Sequence, residues 1–264
     1  MLKLATRGVR SNLLMSRSAR FVSTVGTRVE HAKSCLKGAD AVCFDVDSTV
    51  VTTEGIDDLA AFLGCGEKVA ELTAQAMGGS MPFHEALALR LSAMQPSQQQ
   101  LTEMMAKEPL QLTPGVADLI SALHANKQDV YFVSGGFRQM IEPIAAQCGV
   151  GKDMIYANTF LFNEDGSFKS HLDSEPTSRA GGKAKVVADL KAKHGYKTVV
   201  MVGDGATDME VRANTARLRS ESDGFFCGCP LTRAYFAMMM RLCCAGARHP
   251  GWRGRLHRLW WHRC

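Results

Sequence analysis

Three short runs of residues typical of buried strands set out the predicted framework of the fold. The runs Ala41–Val46, Val130–Ser134 and Thr198–Gly203 are mostly apolar, and each ends in a turn of Gly, Ser or Asp residues. Helical patterns lie between them, at about 115–126, 137–148 and 183–195. Buried strands that alternate with helices predict an α/β fold with a doubly wound parallel sheet. In such a sheet ligands bind at the carboxyl ends of the strands.

A long insertion separates the first strand from the second. It holds more than 70 residues, which is too many for a single crossover helix. Its helical patterns are Ile56–Leu63, Glu67–Met77, Phe83–Met94 and Ser97–Lys107. Ser97 follows Pro96 and is typical of a helix N-cap. We therefore expect a helical cap at 55–112, inserted into a catalytic core made of 30–54 and 113–210.

Two aspartates follow the first strand, at the spacing Asp45-Val46-Asp47. Two carboxylates on one turn can face one site, where the first can attack phosphorus and the second can move a proton. Alone, the pair could equally be solvated turn aspartates. The second strand ends in Ser134-Gly135-Gly136, which suits close approach of a phosphate but is also a common turn.

Two further motifs lie at a helix start and at a strand end. Lys183 follows two glycines and opens a helix, where it could neutralise phosphate charge or be an ordinary surface lysine. Asp204 and Asp208, four residues apart among glycines, suit Mg²⁺ better than Ca²⁺, because a calcium loop needs more acids. Four such motifs at neighbouring ends of one sheet favour a phosphoryl-transfer site over four unrelated turns.

This motif set resembles the haloacid dehalogenase superfamily, and within it the members that act on O-phospho-L-serine. The resemblance runs from about residue 39 to residue 210 and includes Val133-Ser-Gly-Gly-Phe-Arg and Gly203-Asp-Gly-Ala-Thr-Asp-Met-Glu. It implies an aspartyl-phosphate enzyme with Asp45 as nucleophile and Asp47 as general acid and base. It also implies that Ser134, Gly135 and Lys183 hold the phosphoryl group. The implied Mg²⁺ site comprises Asp45, the Val46 carbonyl, Asp47, Asp204 and Asp208.

The resemblance also implies substrate-reading residues, most of them in the cap. Glu54 would meet the substrate amine, and Arg90 would pair with its carboxylate. The other implied substrate contacts are Met77, Gly78, Phe83 and Thr207. Alternatively, Glu54 could be a helix-capping acid and Arg90 a surface arginine. The expected reaction is Mg²⁺-dependent hydrolysis of O-phospho-L-serine, the last step of serine biosynthesis.

The charge is distributed unevenly along the chain. The whole chain has net charge +5, but residues 1–29 hold six basic residues and no acid, and residues 30–210 carry −9. An acidic body does not favour a nucleic-acid partner. The leader 1–29 fits a transit peptide to a mitochondrion or plastid, and a cytoplasmic location is the alternative. No apolar run is long enough for a transmembrane segment. Scattered cysteines suit a reducing compartment.

The resemblance ends at Glu210, and the composition then changes abruptly. Residues 211–264 contain ten Arg, no Lys and all three Trp. We expect a divergent basic tail that deprives the sheet of a strand, and hence a poorly stable or inactive chain. Alternatives for the whole chain are an inactive or regulatory isoform and a phosphatase for another small phosphate ester. Whether the chain forms a homodimer is left open by the sequence.

Overall fold

The centre of the fold is a parallel sheet. The structure, a computed structural model, describes residues 32–77, 81–215 and 226–227. Its strands are β1 (Ala41–Phe44), β2 (Asp129–Phe137), β3 (Ile155–Asn158), β6 (Val199–Val202) and β7 (Phe226–Cys227). Their order in the sheet is β3-β2-β1-β6-β7, and every paired neighbour is parallel. A separate antiparallel hairpin consists of β4 (Phe160–Phe162) and β5 (Phe168–His171).

Helices cover both faces of this sheet. One face packs against α1 (32–38), α6 (Val116–Ala125) and α7 (Arg138–Gln147), and the other against α8 (Gly182–His194) and α9 (Ala206–Thr215). The remaining helices are α2 (Gly55–Phe62), α3 (Gly66–Met77), α4 (Phe83–Met94) and α5 (Gln98–Lys107). Successive side chains of a strand point to opposite faces. On β1, Val42 and Phe44 therefore pack with α6 and α7, while Ala41 and Cys43 pack with α8. The predicted doubly wound α/β fold is confirmed.

The inserted segment between β1 and β2 folds into four helices, α2 to α5. Ser97 caps α5, because its Oγ accepts from the Gln100 N–H while the Gln100 side chain accepts from the Ser97 N–H. A third apolar cluster joins these helices to the β4–β5 hairpin, through Leu91 and Met104 of the cap and Phe160 of the hairpin. The cap therefore rests on the hairpin as well as on the core. The exact domain boundaries stay predictions.

Several elements differ from the sequence-based expectations. The pattern did not predict β3 or the hairpin, since these strands are only three or four residues long and hold few β-branched residues. Helix α9 continues to Thr215, beyond the expected boundary at residue 210, and Val211 is buried in the cluster that lines α8. The tail was expected to deprive the sheet of the strand beside β6 on the side away from β1, yet Phe226 pairs with Met201 and Cys227 with Val202.

Two sequence-based predictions concern residues outside the described ones. The leader 1–29 lies wholly outside, and so does the tail apart from residues 211–215 and 226–227. Within the described ranges, no helix combines the length and hydrophobicity needed to span a membrane.

Candidate active site

The turn after β1 presents both motif aspartates at the carboxyl end of the sheet. The backbone N–H of Asp45 donates to the Val202 carbonyl at 2.8 Å, which holds the end of β1 against β6. Oδ1 of Asp45 accepts from the Val46 N–H at 2.7 Å. Ser48 has φ 53°, a left-handed conformation that turns the chain sharply. This turn therefore directs the side chains of Asp45 and Asp47, which are two residues apart, to one site.

Lys183 lies between two buried carboxylates. Its Nζ is 2.7 Å from Oδ2 of Asp45 and 2.8 Å from Oδ1 of Asp208. Burial disfavours the ammonium, but the charges of both carboxylates outweigh this effect and raise the pKa of Lys183. Burial raises the pKa of Asp45 well above its ordinary value, while Lys183 opposes that rise and Asp208 adds to it. We therefore assign Lys183 as a cation that neutralises anionic charge here.

Three carboxylates are placed so that they could hold a cation together. One ligand oxygen from each of Asp45, Asp204 and Asp208 lies within 4.8 Å of the others. Gly203 allows this approach, because a Cβ there would lie 2.3 Å from the Asp208 carboxylate. Burial, followed by the charge of Asp208, raises the pKa of Asp204. An all-carboxylate set of hard oxygens fits Mg²⁺. The Val46 carbonyl, implied as a further ligand, accepts from the Val51 N–H at 2.9 Å.

Asp47 is held from two sides. Its Oδ2 accepts from Ser134 Oγ at 3.1 Å, and its Oδ1 accepts from the N–H of Gly55, the first residue of cap helix α2, at 2.8 Å. Ser134 Oγ also accepts from the Gly136 N–H at 2.8 Å. A Cβ on Gly136 would lie 2.7 Å from Asp47 Oδ2, so this position needs a glycine. The contacts connect the end of β2, the Asp47 turn and the cap.

The cap brings charged and aromatic side chains of the predicted substrate site to the same region. Glu54 Oε1 accepts from Ser48 Oγ at 2.5 Å, and burial raises the pKa of Glu54. Arg90 donates from Nε to the Ala86 carbonyl at 3.3 Å. Burial lowers the pKa of Arg90, while the charges of Asp57 and Glu54 oppose that shift. Phe83 Cζ lies 3.4 Å from where a Cβ of Gly135 would be.

The remaining predicted substrate contacts are placed less fully. Thr207 is half-buried in the first turn of α9, beside the Asp204–Asp208 motif. Gly78 lies outside the described residues, as does the side chain of Met77. The structure thus brings the two motif aspartates, Ser134, Gly135, Lys183 and Asp208 together, with Asp204, Glu54, Phe83 and Arg90 around them.

Sequence reasoning missed three residues that adjoin this site. Asp57 lies near Arg90, and that charge opposes the burial-driven rise in the pKa of Asp57. Asn158 donates from Nδ2 to the Gly135 carbonyl at 2.7 Å and accepts at Oδ1 from Thr177 Oγ1 at 3.1 Å. Asn158 is the last residue of β3, and its residue type was the only local signal for its contacts with Gly135 and Thr177. Asn158 lies too far from Gly135 and Thr177 in the sequence for residue spacing to reveal these contacts.

The fold and this cluster define a class of enzyme, and a family profile agrees with them. The profile for haloacid dehalogenase-like hydrolases matches residues 39–214. The chain belongs to this haloacid dehalogenase-like hydrolase family.

The similar proteins narrow the class further. The chain is 53% identical over 176 residues to a chloroplastic phosphoserine phosphatase of Arabidopsis thaliana, which covers 67% of this chain but 60% of that protein. It is 47% identical over 172 residues to phosphoserine phosphatase of Bos taurus, covering 65% of this chain and 76% of the relative. A solved phosphoserine phosphatase, described as a phospho-aspartyl intermediate analogue, is 26% identical with TM-score 0.59, covering 67% and 83% of the two chains.

Proposed function

We propose that this chain hydrolyses O-phospho-L-serine to L-serine and phosphate, through an aspartyl phosphate on Asp45 and with Mg²⁺ as cofactor. The observation that carries the proposal is the contact of Lys183 with Asp45 and Asp208 at 2.7 and 2.8 Å, beside the Asp47–Ser134 pair. This arrangement supports the proposal, because it would supply a nucleophile, a proton carrier and phosphate donors to one site. In the cell, this reaction would be the last step of serine biosynthesis.

The first half-reaction transfers the phosphoryl group to the protein. A carboxylate oxygen of Asp45 attacks phosphorus, and the bond between phosphorus and the serine oxygen breaks. Asp47, in its protonated form, gives its proton to that leaving oxygen. In the second half, Asp47 takes a proton from water, which attacks phosphorus and releases phosphate from Asp45. Lys183 and Ser134 offer donors to the phosphoryl oxygens throughout.

The acidic cluster would hold the cofactor of this reaction. Asp45, Asp204 and Asp208 supply the oxygens, with the Val46 carbonyl and Asp47 as further candidates. When bound, Mg²⁺ would reduce the repulsion between the Asp45 carboxylate and the anionic phosphate.

The cap supports an amino-acid substrate over other phosphate esters. Phosphoserine carries an ammonium and a carboxylate beside its phosphate, and it therefore needs one protein partner of each sign. Glu54, which is exposed, and Arg90, which is half-buried, carry opposite charges, and the charge of Glu54 affects the pKa of Arg90. A site with both partners would discriminate against esters that lack the amino-acid group.

The test is phosphate release from O-phospho-L-serine by the purified full chain, with and without Mg²⁺. The matched control is Asp45→Asn, which keeps the size of the side chain and removes the nucleophile. We expect Mg²⁺-dependent release that the substitution abolishes. A soluble, folded chain without this activity would favour the inactive isoform, and an equally active Asp45→Asn chain would contradict the proposed nucleophile.

We also propose that residues 1–29 direct the chain to an organelle. The six basic residues and the lack of acids support this assignment. A fusion of 1–29 to a fluorescent protein should enter mitochondria or plastids, and a diffuse cytoplasmic signal would contradict it.

A further inference from the structure

A bulge in β2 carries the residues that we assign to the phosphate. Val133 pairs with Tyr156 of β3, and the next pair is Phe137 with Asn158, so four steps along β2 match two along β3. Ser134, Gly135 and Gly136 form the irregular segment between these pairs, which we call the phosphate bulge. The Gly135 carbonyl within it accepts from the Asn158 side chain at 2.7 Å. A side chain therefore bonds the backbone where the regular strand pairing is interrupted.

Asn158 bonds in the opposite direction as well. Its Oδ1 accepts from Thr177 Oγ1 at 3.1 Å. Asn158 is fully buried, and Thr177 is 3% exposed. Because a carbonyl can only accept, the Gly135 contact fixes which end of the Asn158 amide is the donor. The hydroxyl of Thr177 donates to the acceptor end, so both ends of this buried amide have partners.

The loop that holds Thr177 lies directly on the start of helix α8. A Cβ on Gly182 would lie 2.1 Å from the Pro176 carbonyl oxygen and 2.9 Å from Thr177 Cα. Lys183 is the next residue, in the first turn of that helix. A buried path thus runs from the phosphate bulge through Asn158 and Thr177 to the helix that carries Lys183.

We propose that Asn158 and Thr177 are positioning residues that set the phosphate bulge and Lys183 at the right separation for one phosphate group. The proposal rests on the proposed function, since it takes Ser134, Gly135 and Lys183 as phosphate donors. Neither Asn158 nor Thr177 contacts the reacting atoms. Their effect reaches the phosphate through the Gly135 backbone on one side and the α8 terminus on the other. Leaving a buried hydrogen-bonding group without its partner costs free energy. The segments joined by Asn158 and Thr177 would therefore shift when either side chain is changed.

The test separates phosphate binding from serine binding in the full chain. Thr177→Val keeps the shape and removes the hydroxyl, and Thr177→Ser restores it. Calorimetry with inorganic phosphate in the presence of Mg²⁺, and separately with L-serine, gives two affinities without turnover. We expect Thr177→Val to weaken phosphate at least about fivefold, the lower end for a lost buried partner, and to leave L-serine unchanged. Thr177→Ser should bind phosphate like the unmodified chain.

A second variant and a control complete the design. Asn158→Asp keeps the acceptor for Thr177 but replaces the donor to Gly135, and it should show the same loss for phosphate alone. Tyr131→Phe is the control, because Tyr131 is buried on the same strand and its hydroxyl lies 2.8 Å from that of Tyr196, away from the bulge. It should leave both affinities unchanged.

The remaining outcomes test the inference and the proposed function separately. Unchanged phosphate affinity in a folded Thr177→Val chain would overturn it, and so would an equal loss for both ligands. If Thr177→Val and Asn158→Asp both fail to fold, the pair serves folding and not phosphate geometry. An unmodified chain that binds phosphate but neither binds L-serine nor hydrolyses O-phospho-L-serine would refute the proposed function, and the phosphate comparison would still judge this inference.

Discussion

Gly136 offers a steric test of how Asp47 is held. Gly136→Ala adds one methyl group whose carbon would lie 2.7 Å from Asp47 Oδ2 and 3.1 Å from Ser134 Oγ. The backbone of Gly136 does not lie in the left-handed region, so alanine is not strained there by its φ angle. The substitution therefore acts through its contacts with Asp47 and Ser134. Ordinary van der Waals contact begins near 3.4 Å, so the carboxylate oxygen must retreat by about 0.7 Å.

A retreat of that size away from Ser134 would break the hydrogen bond between Ser134 Oγ and Asp47. The bond is already 3.1 Å long, and a further 0.7 Å away from the hydroxyl would put it outside hydrogen-bonding distance. A hydrogen bond to a charged group contributes about 1.5–3 kcal/mol, which corresponds to roughly a 10- to 150-fold change in rate. We expect kcat for O-phospho-L-serine to fall within that range, because Asp47 would be displaced from the leaving oxygen.

The assay is steady-state phosphate release together with a thermal melt. Gly151→Ala is the matched control, since a Cβ there would meet no heavy atom within 4 Å and its φ is −70°. The control should keep both kcat and the melting temperature. A folded Gly136→Ala chain with unchanged kcat would refute the assignment of Asp47 as the proton carrier held by Ser134.

Three further predictions concern the cap and the metal. Arg90→Ala should lower kcat/KM for O-phospho-L-serine about 10-fold or more and change that for p-nitrophenyl phosphate little; equal losses would favour another ester as substrate. Glu54→Gln should raise the melting temperature at pH 8 but lower kcat/KM, because burial raises the pKa of Glu54 and its ionised form costs stability. That stability difference should vanish in acid, where Glu54 is protonated in both states, and a pH-independent difference would contradict the cause. EDTA should abolish turnover, and Mg²⁺ should restore it and raise the melting temperature; metal-independent turnover would argue against the acidic cluster as the metal site.

The positions of the motif residues could be predicted because their signals are local. Asp45, Ser134 and Asp204 each follow an apolar run of four or more residues, and Lys183 follows two glycines that open a helix. In a parallel sheet, strand ends that share a direction meet at one edge. Local pattern plus topology was therefore enough to place Lys183 at the same edge of the sheet as Asp45 and Asp208, and the structure adds its contacts with both. The roles of these residues in catalysis are a separate matter, which the assays above address.

The supporting contacts could not be predicted in the same way. Asn158 contacts Gly135, 23 positions earlier, and Thr177, 19 positions later. Neither contact follows from the period of a helix or strand, because both depend on the bulge in β2 and on where the Pro176–Ser178 loop packs. Asn is common in loops for its own turn-forming reasons, so its type alone carries little information. The residues that carry reaction chemistry are easier to find from sequence than those that hold them.

At β7, backbone pairing and side-chain packing have to be considered separately. The loss of family sequence after Glu210 suggested that β6 would lose its neighbour on the side away from β1, yet Phe226 and Cys227 pair with it. Strand pairing uses N–H and C=O groups that every residue except proline has, so an open sheet edge can accept a segment of unrelated sequence. Stability depends instead on buried side chains, at about 1.5–3 kcal/mol for each large one. Two residues can supply at most two side chains, so backbone pairing with β7 does not by itself replace the packing of a longer strand and its helix. The expectation of low stability rests on the buried side chains of the lost strand and helix, so it stays a prediction although Phe226 and Cys227 pair with β6.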